Sequence, residues 1–250
     1  MKTLVVCKHP EGAIESDSCR LIEKHFSPIY AWKNNLEKKD LKDIDLVIAL
    51  GGDGTVLSAS HYLTEKPLLA VNSSPTKSEG ALTTLSVANL GTKLNAIKNG
   101  KFKTEKLERI EVFINDKPLD ILSLNEVFIA NEKAYLISKY KISFKSKEEE
   151  QRSSGLIFST GTGSTAWFKS AKGTPFAADS KFIKMITREP YKGKLGKFSL
   201  TEATINEGEE FHVYPLCNSV LAIDSIHEFK VKEGDKITLR ISSHPLLRII

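Results

Sequence analysis

Residues 46–50 form a continuously apolar run that stops abruptly at Gly51-Gly52-Asp53-Gly54. An uninterrupted apolar run of this length is typical of a parallel strand that is covered on both faces of its sheet. Shorter apolar runs at residues 3–7 and 68–71 predict two more strands, and helices are predicted at residues 18–26 and 55–63. Strands that alternate with helices predict an open α/β sheet in the N-terminal part of the chain.

After Gly100 the apolar residues take the spacing of half-buried strands. Residues 139–145 alternate strictly, with Tyr140, Ile142 and Phe144 on one face, as expected for an antiparallel strand with one buried side. Further strands are predicted at residues 110–114, 119–129, 211–214, 220–223, 227–231 and 237–241, and a helix at residues 164–172. The charged run 145–152 is predicted to be the solvated tip of a hairpin.

These patterns predict two domains. An α/β N-terminal domain would occupy residues 1–100, a β-rich C-terminal domain residues 101–240, and residues 241–250 would form a tail. A chain of 250 residues is long enough for such a pair.

Composition limits the protein class more than the ligand. No apolar stretch approaches the roughly 18 residues that suggest a membrane-spanning helix, and the three cysteines, Cys7, Cys19 and Cys217, lack CxxC spacing. We therefore expect a soluble, cytoplasmic protein with reduced thiols and no membrane partner. The net charge of +5 suits a polyanionic small molecule or a nucleic acid equally. The six histidines lack metal-binding spacing, so no metal site built by the protein is predicted.

The first motif with chemical potential is the segment from Gly51 to Thr55. Glycines at the carboxyl end of a parallel strand let the backbone approach a phosphate, and the following helix start offers free N–H groups. Asp53 could accept a proton from a hydroxyl or hold Mg²⁺ near a transferred phosphoryl group. The structural alternative is a tight turn in which Asp53 caps the helix.

The second motif is Gly155-Leu-Ile-Phe-Ser-Thr-Gly-Thr-Gly-Ser-Thr-Ala-Trp167, in which an apolar strand enters a loop rich in glycine and hydroxyl residues. Such a loop offers amides and hydroxyls to phosphate or ribose oxygens, with Trp167 as a wall for an aromatic ring. The segment lacks the GxxxxGK[ST] pattern of a Walker A loop and only loosely fits the Rossmann pattern. A glycine-rich antiparallel turn without a ligand is the alternative.

Three further features have both a structural and a functional interpretation. Asn125 and Glu126 lie in a predicted apolar strand, where a carboxylate is costly unless it is paired or ligand-bound. Asp224 ends another apolar strand and by itself fits a turn residue better than a site. The basic loop 188–197, which begins with Arg188, is either solvated surface or a contact to a donor phosphate.

Taken in order, these segments resemble the NAD kinase family. The distinctive order is GGDGT after a strand, then the Asn-Glu pair, then the loop from Gly155 to Ala166, then Asp224 after a late strand. GGDG alone would also fit lipid kinases and phosphofructokinases, and the second loop is what singles out NAD kinases. The resemblance covers about residues 45–240.

The resemblance implies a two-domain fold with its active site in a crevice between the domains and a tail that returns to the first domain. The enzyme would use ATP or another phosphoryl donor, with Mg²⁺ or another divalent cation, to phosphorylate the 2′-hydroxyl of the adenosine ribose of NAD. Asp53 would be the catalytic carboxylate, and Asp224 would lie near the second nucleotide. The NAD-binding set would be Gly52, Gly54, Thr55, Asn125, Glu126, Thr162, Thr165, Ala166, Trp167, Ser170 and Asp224. Family members form homodimers or homotetramers, and no nucleic-acid partner is implied.

Several residues depart from the pattern of bacterial members. Ser154 stands where they have Asp, Gly161 where they have Pro, Trp167 where they have Tyr, and Ser225 where they have Gly, while the LGFLT segment is replaced by residues 79–83. The forms around Ser153, Gly161 and Arg188 are similar to the mitochondrial-type branch. The missing Asp at position 154 leaves the preference between NAD and NADH open.

Two other functions remain open at this stage. A lipid or sugar kinase could use GGDGT, although the β-rich half supplies no exposed apolar stripe for a lipid. A non-catalytic NADP(H)-binding protein would explain the departures at positions 154, 161 and 225, although such a protein would not need to keep Asp53.

Overall fold

The computed structural model describes residues 1–8, 17–73, 80–191 and 198–250. These residues divide into two units. The first comprises Met1–Lys106 together with Pro245–Ile250, and the second comprises Leu107–His244.

The first unit is built on one sheet. Its described strands are β1 (Thr3–Cys7), β2 (Pro28–Trp32), β3 (Leu46–Gly51), β4 (Pro67–Asn72), β5 (Leu85–Ser86), β6 (Thr104–Leu107) and β19 (Leu246–Ile249). The strand order is β2-β1-β3-β4-β19-β6, with β5 added beside β4. Its helices are α1 (Asp17–Glu23), α2 (Asp53–Ser60) and α3 (Leu90–Lys98), with short 3-10 turns at Lys38–Leu41 and Val87–Asn89.

The central strands of this sheet are apolar because both of their faces are covered. β1 pairs in parallel with β2 and β3, and β3 pairs in parallel with β4. All residues of β1 and β3 are buried, as the continuous apolar run predicted. On one face, side chains from β1, β3 and β4 pack against α1 and α3 in a single apolar cluster.

The C-terminal tail is part of the same sheet. β19 pairs in parallel with β4. Arg248 donates to Glu105 at 2.8 Å, and the Thr84 hydroxyl donates to the carbonyl of Ile249 at 2.9 Å. These contacts hold the last residues against the first unit by both backbone and side-chain hydrogen bonds.

The second unit contains two sheets whose strand pairs are antiparallel. The first sheet consists of β7 (Ile110–Ile114), β8 (Lys117–Pro118), β10 (Ser138–Phe144), β11 (Lys147–Ser153), β15 (Phe211–Pro215) and β18 (Ile237–Ile241). The second consists of β9 (Glu126–Asn131), β12 (Leu156–Ser159), β13 (Phe182–Thr187), β14 (Glu202–Asn206), β16 (Ser219–Ile223) and β17 (His227–Val231). The strand order is β11-β10-β15-β18-β7-β8 in the first sheet and β14-β13-β12-β9-β16-β17 in the second. Phe158 of β12 meets Phe211 of β15 edge to face, with 5.1 Å between ring centroids, so aromatic side chains link the two sheets.

Three predicted elements of this unit were wrong in detail. Only residues 145 and 146 of the charged run 145–152 form the hairpin tip, because β11 (Lys147–Ser153) pairs along its whole length with β10. The strand predicted at 119–129 begins only at Glu126. The helix predicted at 164–172 is two short pieces, a 3-10 turn at Thr162–Thr165 and α4 (Trp167–Ser170), because Ala166 between them leaves helical geometry at ψ −123°.

In the parts of the chain that the structure describes, no helix has both the length and the apolarity to cross a bilayer.

Candidate active site

The GGDG segment forms the junction between β3 and α2 in the first unit. Gly51 ends the strand, Gly52 occupies the N-cap position, and Asp53 is the first helical residue. A Cβ atom at Gly51 would collide with the side chain of Thr55, which folds back over the end of the strand. Glycine is therefore required at this point, and Gly54 next to Asp53 is exposed.

The Asp53 carboxylate does not cap its own helix, since the N-cap residue is Gly52 and both hydrogen bonds of the carboxylate go to a different segment. Its Oδ1 accepts the N–H of Leu82 at 2.8 Å, and its Oδ2 accepts the N–H of Ala81 at 3.1 Å. Each carboxylate oxygen keeps further acceptor capacity after one such bond. The capping alternative for Asp53 is therefore wrong, and its carboxylate is held in a fixed orientation while it can still accept a proton.

The partners of Asp53 come from the segment that replaces the family's LGFLT sequence. Gly80 has φ +69°, and a Cβ atom there would collide with the side chain of Asn72. This glycine turns the chain so that the next two amides reach Asp53. Glu79, the first residue of the segment, lies outside the described residues.

Asp224, in the second unit, holds the segment before β9 in place. Its carboxylate accepts the backbone N–H of Leu124 at 2.8 Å and those of Asn125 and Glu126 at 2.9 Å. It also accepts the Ser123 hydroxyl at 2.5 Å. The amides that a strand would pair with a neighbouring strand thus bond to a side chain, which explains why β9 begins only at Glu126.

Asn125 and Glu126 carry buried acceptor atoms that find no partner within the described protein. These atoms are Oδ1 of Asn125 and Oε2 of Glu126. Only 5% of Glu126 is exposed, and this burial, together with the nearby Asp224 carboxylate, raises the pKa of Glu126 to about 8. Because an unsatisfied buried polar group costs about 1–3 kcal/mol, these two side chains are suited to a ligand that supplies hydrogen-bonding groups.

The second motif is hydrogen-bonded to the same segment. The Thr160 hydroxyl donates to the carbonyl of Leu124 at 2.6 Å, and the Thr160 amide donates to the carbonyl of Asn125 at 3.0 Å. A Cβ atom at Gly163 would collide with the backbone of Asn125, so the loop needs a glycine to approach this closely. The hydroxyl of Thr162 is a third buried oxygen without a partner. Thr162 therefore directly precedes the residue that contacts Asn125.

The residues after this loop line a cavity of about 420 Å³ in the second unit. The Trp167 ring packs against Phe128 at 4.5 Å between centroids, and the Arg188 guanidinium lies 5.9 Å from the same ring. Ser170 also lines this cavity, whereas Thr165 and Ala166 are exposed on the preceding turn. The cavity thus has an aromatic wall, a cation and hydroxyl groups.

Two residues that the sequence did not single out contribute here. Arg109 is fully buried and donates through Nε to the carbonyl of His244 at 2.8 Å. Burial lowers the pKa of Arg109 to about 10, while Asp224 and Glu108 favour its charged form. Ser123 completes the hydrogen bonds to Asp224. Neither residue carries a local sequence signal, since their partners lie more than 100 positions away.

The basic loop is only partly described. Arg188 lines the cavity, and its guanidinium nitrogen lies 3.8 Å from the carboxylate oxygen Oε1 of Glu189. Lys192, Lys194 and Lys197 lie outside the described residues. Among the described side chains, no group of three or more His, Cys, Asp or Glu residues is placed to hold a metal ion.

Comparisons with known proteins agree with this arrangement. Residues 7–102 match the model of the ATP-NAD kinase N-terminal domain. A rice (Oryza sativa subsp. japonica) protein named probable NADH kinase is 30% identical, and the alignment covers 94% of this chain and 82% of the relative.

Two solved structures share the fold. An NAD kinase from Archaeoglobus fulgidus in complex with ATP superimposes with a TM-score of 0.77 at 22% identity, over 99% of this chain and 93% of that one. Yeast NADH kinase complexed with NADH superimposes with a TM-score of 0.79 at 15% identity, over 100% of this chain and 83% of that one. The predicted combination of an α/β domain with a β-rich domain is confirmed, and the chain belongs to the NAD kinase family.

Proposed function

We propose that this chain transfers the terminal phosphoryl group of ATP to the 2′-hydroxyl of the adenosine ribose of NAD, giving NADP. Family membership supports the reaction. Within the molecule, the observation that carries the proposal is the set of three buried, unpartnered oxygens on Asn125, Glu126 and Thr162. A nucleoside presents ribose hydroxyls, which donate and accept, and an amino group, which donates, so it offers partners to an amide oxygen, a carboxyl group and a hydroxyl.

Asp53 is proposed as the catalytic carboxylate. Its orientation is fixed by the amides of Ala81 and Leu82, and its neighbour Gly54 is exposed. A carboxylate held this way can accept the proton of the attacking hydroxyl as the O–P bond forms to ATP and the bond to ADP breaks. Gly52, Gly54 and Thr55 would contribute backbone to the phosphate side of the site.

The nucleotide-binding surface of the second unit would extend from the buried oxygens to the cavity beside Trp167. Thr165, Ala166 and Ser170 would contact the adenosine there, with Trp167 against its ring. Asp224 would act indirectly, because its carboxylate already accepts four hydrogen bonds. Its proposed contribution is to set the position of Asn125 and Glu126.

A divalent cation, Mg²⁺ by preference, is proposed to accompany ATP. Asp53 is the carboxylate at the GGDG turn that would hold the ion together with the donor phosphates. The ion would neutralise charge on the triphosphate. Asp53 would still orient the hydroxyl.

NADH is a second candidate substrate. Ser154 occupies the position at which bacterial members have Asp, and its amide donates to the carbonyl of Arg188 at 3.0 Å. An uncharged side chain removes a reason to prefer the cationic ring of NAD over the neutral ring of NADH. The rice relative and the yeast structure are both named NADH kinases.

We further propose a cytoplasmic homodimer or homotetramer. Cys7, Cys19 and Cys217 form no disulfide within the described residues, which suits a reducing compartment. Sedimentation of the purified protein at several concentrations would test the assembly, and a single monomeric species throughout would reject it.

The decisive experiment is a coupled assay of the purified protein. NAD or NADH is supplied with ATP and Mg²⁺, and the phosphorylated product is measured with an enzyme specific for NADP(H). Product should form only when dinucleotide, ATP and metal are all present. Phosphorylation of a lipid or sugar with NAD untouched would reject the proposal, and nucleotide binding without turnover would favour a non-catalytic NADP(H)-binding protein.

A further inference from the structure

Lys33 lies beside the GGDG turn in the first unit, although no sequence motif includes it. It follows β2 directly, and its backbone N–H donates to the carbonyl of Cys7 at 3.0 Å, so the chain stays aligned with the end of β1. β2, β1 and β3 are parallel neighbours, so their carboxyl ends lie at the same edge of the sheet. The side chain of Lys33 is partly buried as it extends along this edge.

The ammonium of Lys33 ends above the first turn of α2. Its Nζ is 3.7 Å from the position that a Cβ atom would take on Gly54, and, apart from the two neighbouring residues and the backbone of the helix itself, no other described atom lies within 4 Å of that position. Gly54 itself is exposed. A cation and an open stretch of backbone therefore lie together, directly beside Asp53.

Lys33 adds a positive charge at a helix N-terminus that itself carries a partial positive charge, and Asp53 is the acidic residue of that first turn. Within the described ranges, no carboxylate forms an ion pair with Lys33. The nearby Asp53 carboxylate bonds instead to the amides of Ala81 and Leu82.

We propose that Lys33 binds a substrate phosphate over the first turn of α2 and so positions it next to Asp53. This inference rests on the proposed function, which brings ATP and NAD to the same turn. The recognised chemistry is a phosphate oxyanion, which both the triphosphate of ATP and the pyrophosphate of NAD carry. Lys33 acts as a binding residue, and no proton passes through it.

The test compares Lys33→Met with Lys33→Arg and with Lys42→Met. Lys42 is an exposed lysine of the same unit, so its variant loses the same charge away from the turn. Calorimetry measures the affinity for ATP with Mg²⁺, for NAD and for inorganic tripolyphosphate. Because hydrogen bonds to charged groups contribute about 1.5–3 kcal/mol, Lys33→Met should weaken one nucleotide roughly ten- to hundred-fold. Lys33→Arg and Lys42→Met should stay within a few-fold of wild type.

The pattern of loss identifies the phosphate. Weaker binding of ATP and tripolyphosphate with NAD unchanged assigns the donor, and the reverse assigns the pyrophosphate of NAD. In either case the affected affinity should depend less steeply on salt in Lys33→Met than in wild type, which a purely structural lysine would not produce. Wild-type affinity for all three ligands would overturn the proposal.

Two controls keep the result interpretable. Thermal melting must show that Lys33→Met is folded, and Lys33→Gln replaces it if it is not. Wild-type protein that binds nucleotides without forming NADP would refute the proposed function and leave the Lys33 test valid. Normal turnover with unchanged binding in Lys33→Met would refute only the role of Lys33.

Discussion

Asp53 and Asp224 both follow an apolar strand, yet their surroundings give them opposite properties. Asp53 lies at an open turn and accepts two backbone amides from one neighbouring segment. Asp224 is only 3% exposed, has a positive φ of 50°, and accepts four hydrogen bonds. The first carboxylate can still react with a ligand, and the second is committed to the fold. Position at a strand end therefore does not distinguish a reactive acid from a structural one, whereas the number of internal donors does.

Replacing each acid by Asn should distinguish Asp53 from Asp224, and the largest effect should be the loss of kcat at Asp53. Asp53→Asn keeps the size of the side chain and one acceptor but removes the base, so kcat should fall by roughly 10²–10⁴-fold. NAD affinity by calorimetry should stay near wild type, and the melting temperature should fall only slightly, because the amide of Ala81 that loses its acceptor is exposed to water. Asp43→Asn, at an exposed turn of the same unit, is the matched control and should keep full activity. Near-wild-type turnover in Asp53→Asn would remove its catalytic role.

Asp224→Asn should instead reduce stability. Asn tolerates the positive φ, but its amide group cannot accept all four donors, and each buried donor left unpaired costs about 1–3 kcal/mol. The free energy of unfolding in urea should therefore fall by several kcal/mol, with KM for NAD raised because Asn125 and Glu126 lose their support. A variant with wild-type stability and a large, isolated loss of kcat would mean that Asp224 takes part in the chemistry.

Glu126 is a third buried or partly buried acid, and its raised pKa predicts an unusual pH dependence of the free energy of unfolding. Its pKa in the folded protein, about 8, is above the ordinary value of 4.5, so between these two pH values the native state holds a proton that the unfolded state has released. Stability should consequently fall as pH rises through this window, with a contribution of at most about 1.4 kcal/mol per pH unit.

Glu126→Gln keeps the shape of this side chain and removes its titration. Urea unfolding from pH 5 to pH 9 should show a flatter profile for the variant than for wild type. Parallel profiles for the two proteins would show that Glu126 does not carry a raised pKa. Saturating NAD should also change the wild-type profile more than the variant profile if the ligand contacts this carboxyl group.

The sequence predicted the elements whose information is local and missed those that depend on distant partners. The apolar run before Gly51 identified β3 because a doubly covered strand needs no partner to be recognised. β11 was missed because its inward-facing residues are polar, so its sequence shows no alternation of apolar and polar residues. Gln151 and Ser153 point inward and bond to Thr187 and Tyr140. The late start of β9 depends on Asp224, about 100 residues further along the chain, so no local pattern could reveal it.

The candidate site divides in the same way. Asp53 and the Asn125-Glu126 pair were predicted because their residue types are unusual in their local context. Lys33 and Arg109 could not be found, because lysine after a strand and arginine before one are ordinary in sequence. Only the fold places Lys33 beside Gly54 and buries Arg109.

The smallest expected effects come from the hydroxyls of Thr160 and Thr162 in the second motif, which should differ in their contributions to stability and to KM. Thr160 donates to Leu124 and accepts the amide of Gly163, whereas the buried hydroxyl of Thr162 has no partner in the described protein. Thr160→Val should therefore lower the free energy of unfolding by about 1–3 kcal/mol.

Thr162→Val removes an unsatisfied group and should leave stability unchanged or slightly higher. If NAD bonds to that hydroxyl, KM for NAD should rise roughly three- to tenfold, as expected for one neutral hydrogen bond, with KM for ATP and kcat preserved. A destabilised Thr162→Val variant with unchanged KM would show that this hydroxyl serves the fold. The side-chain oxygens of Asn125 and Glu126 would then remain the candidates for contact with NAD.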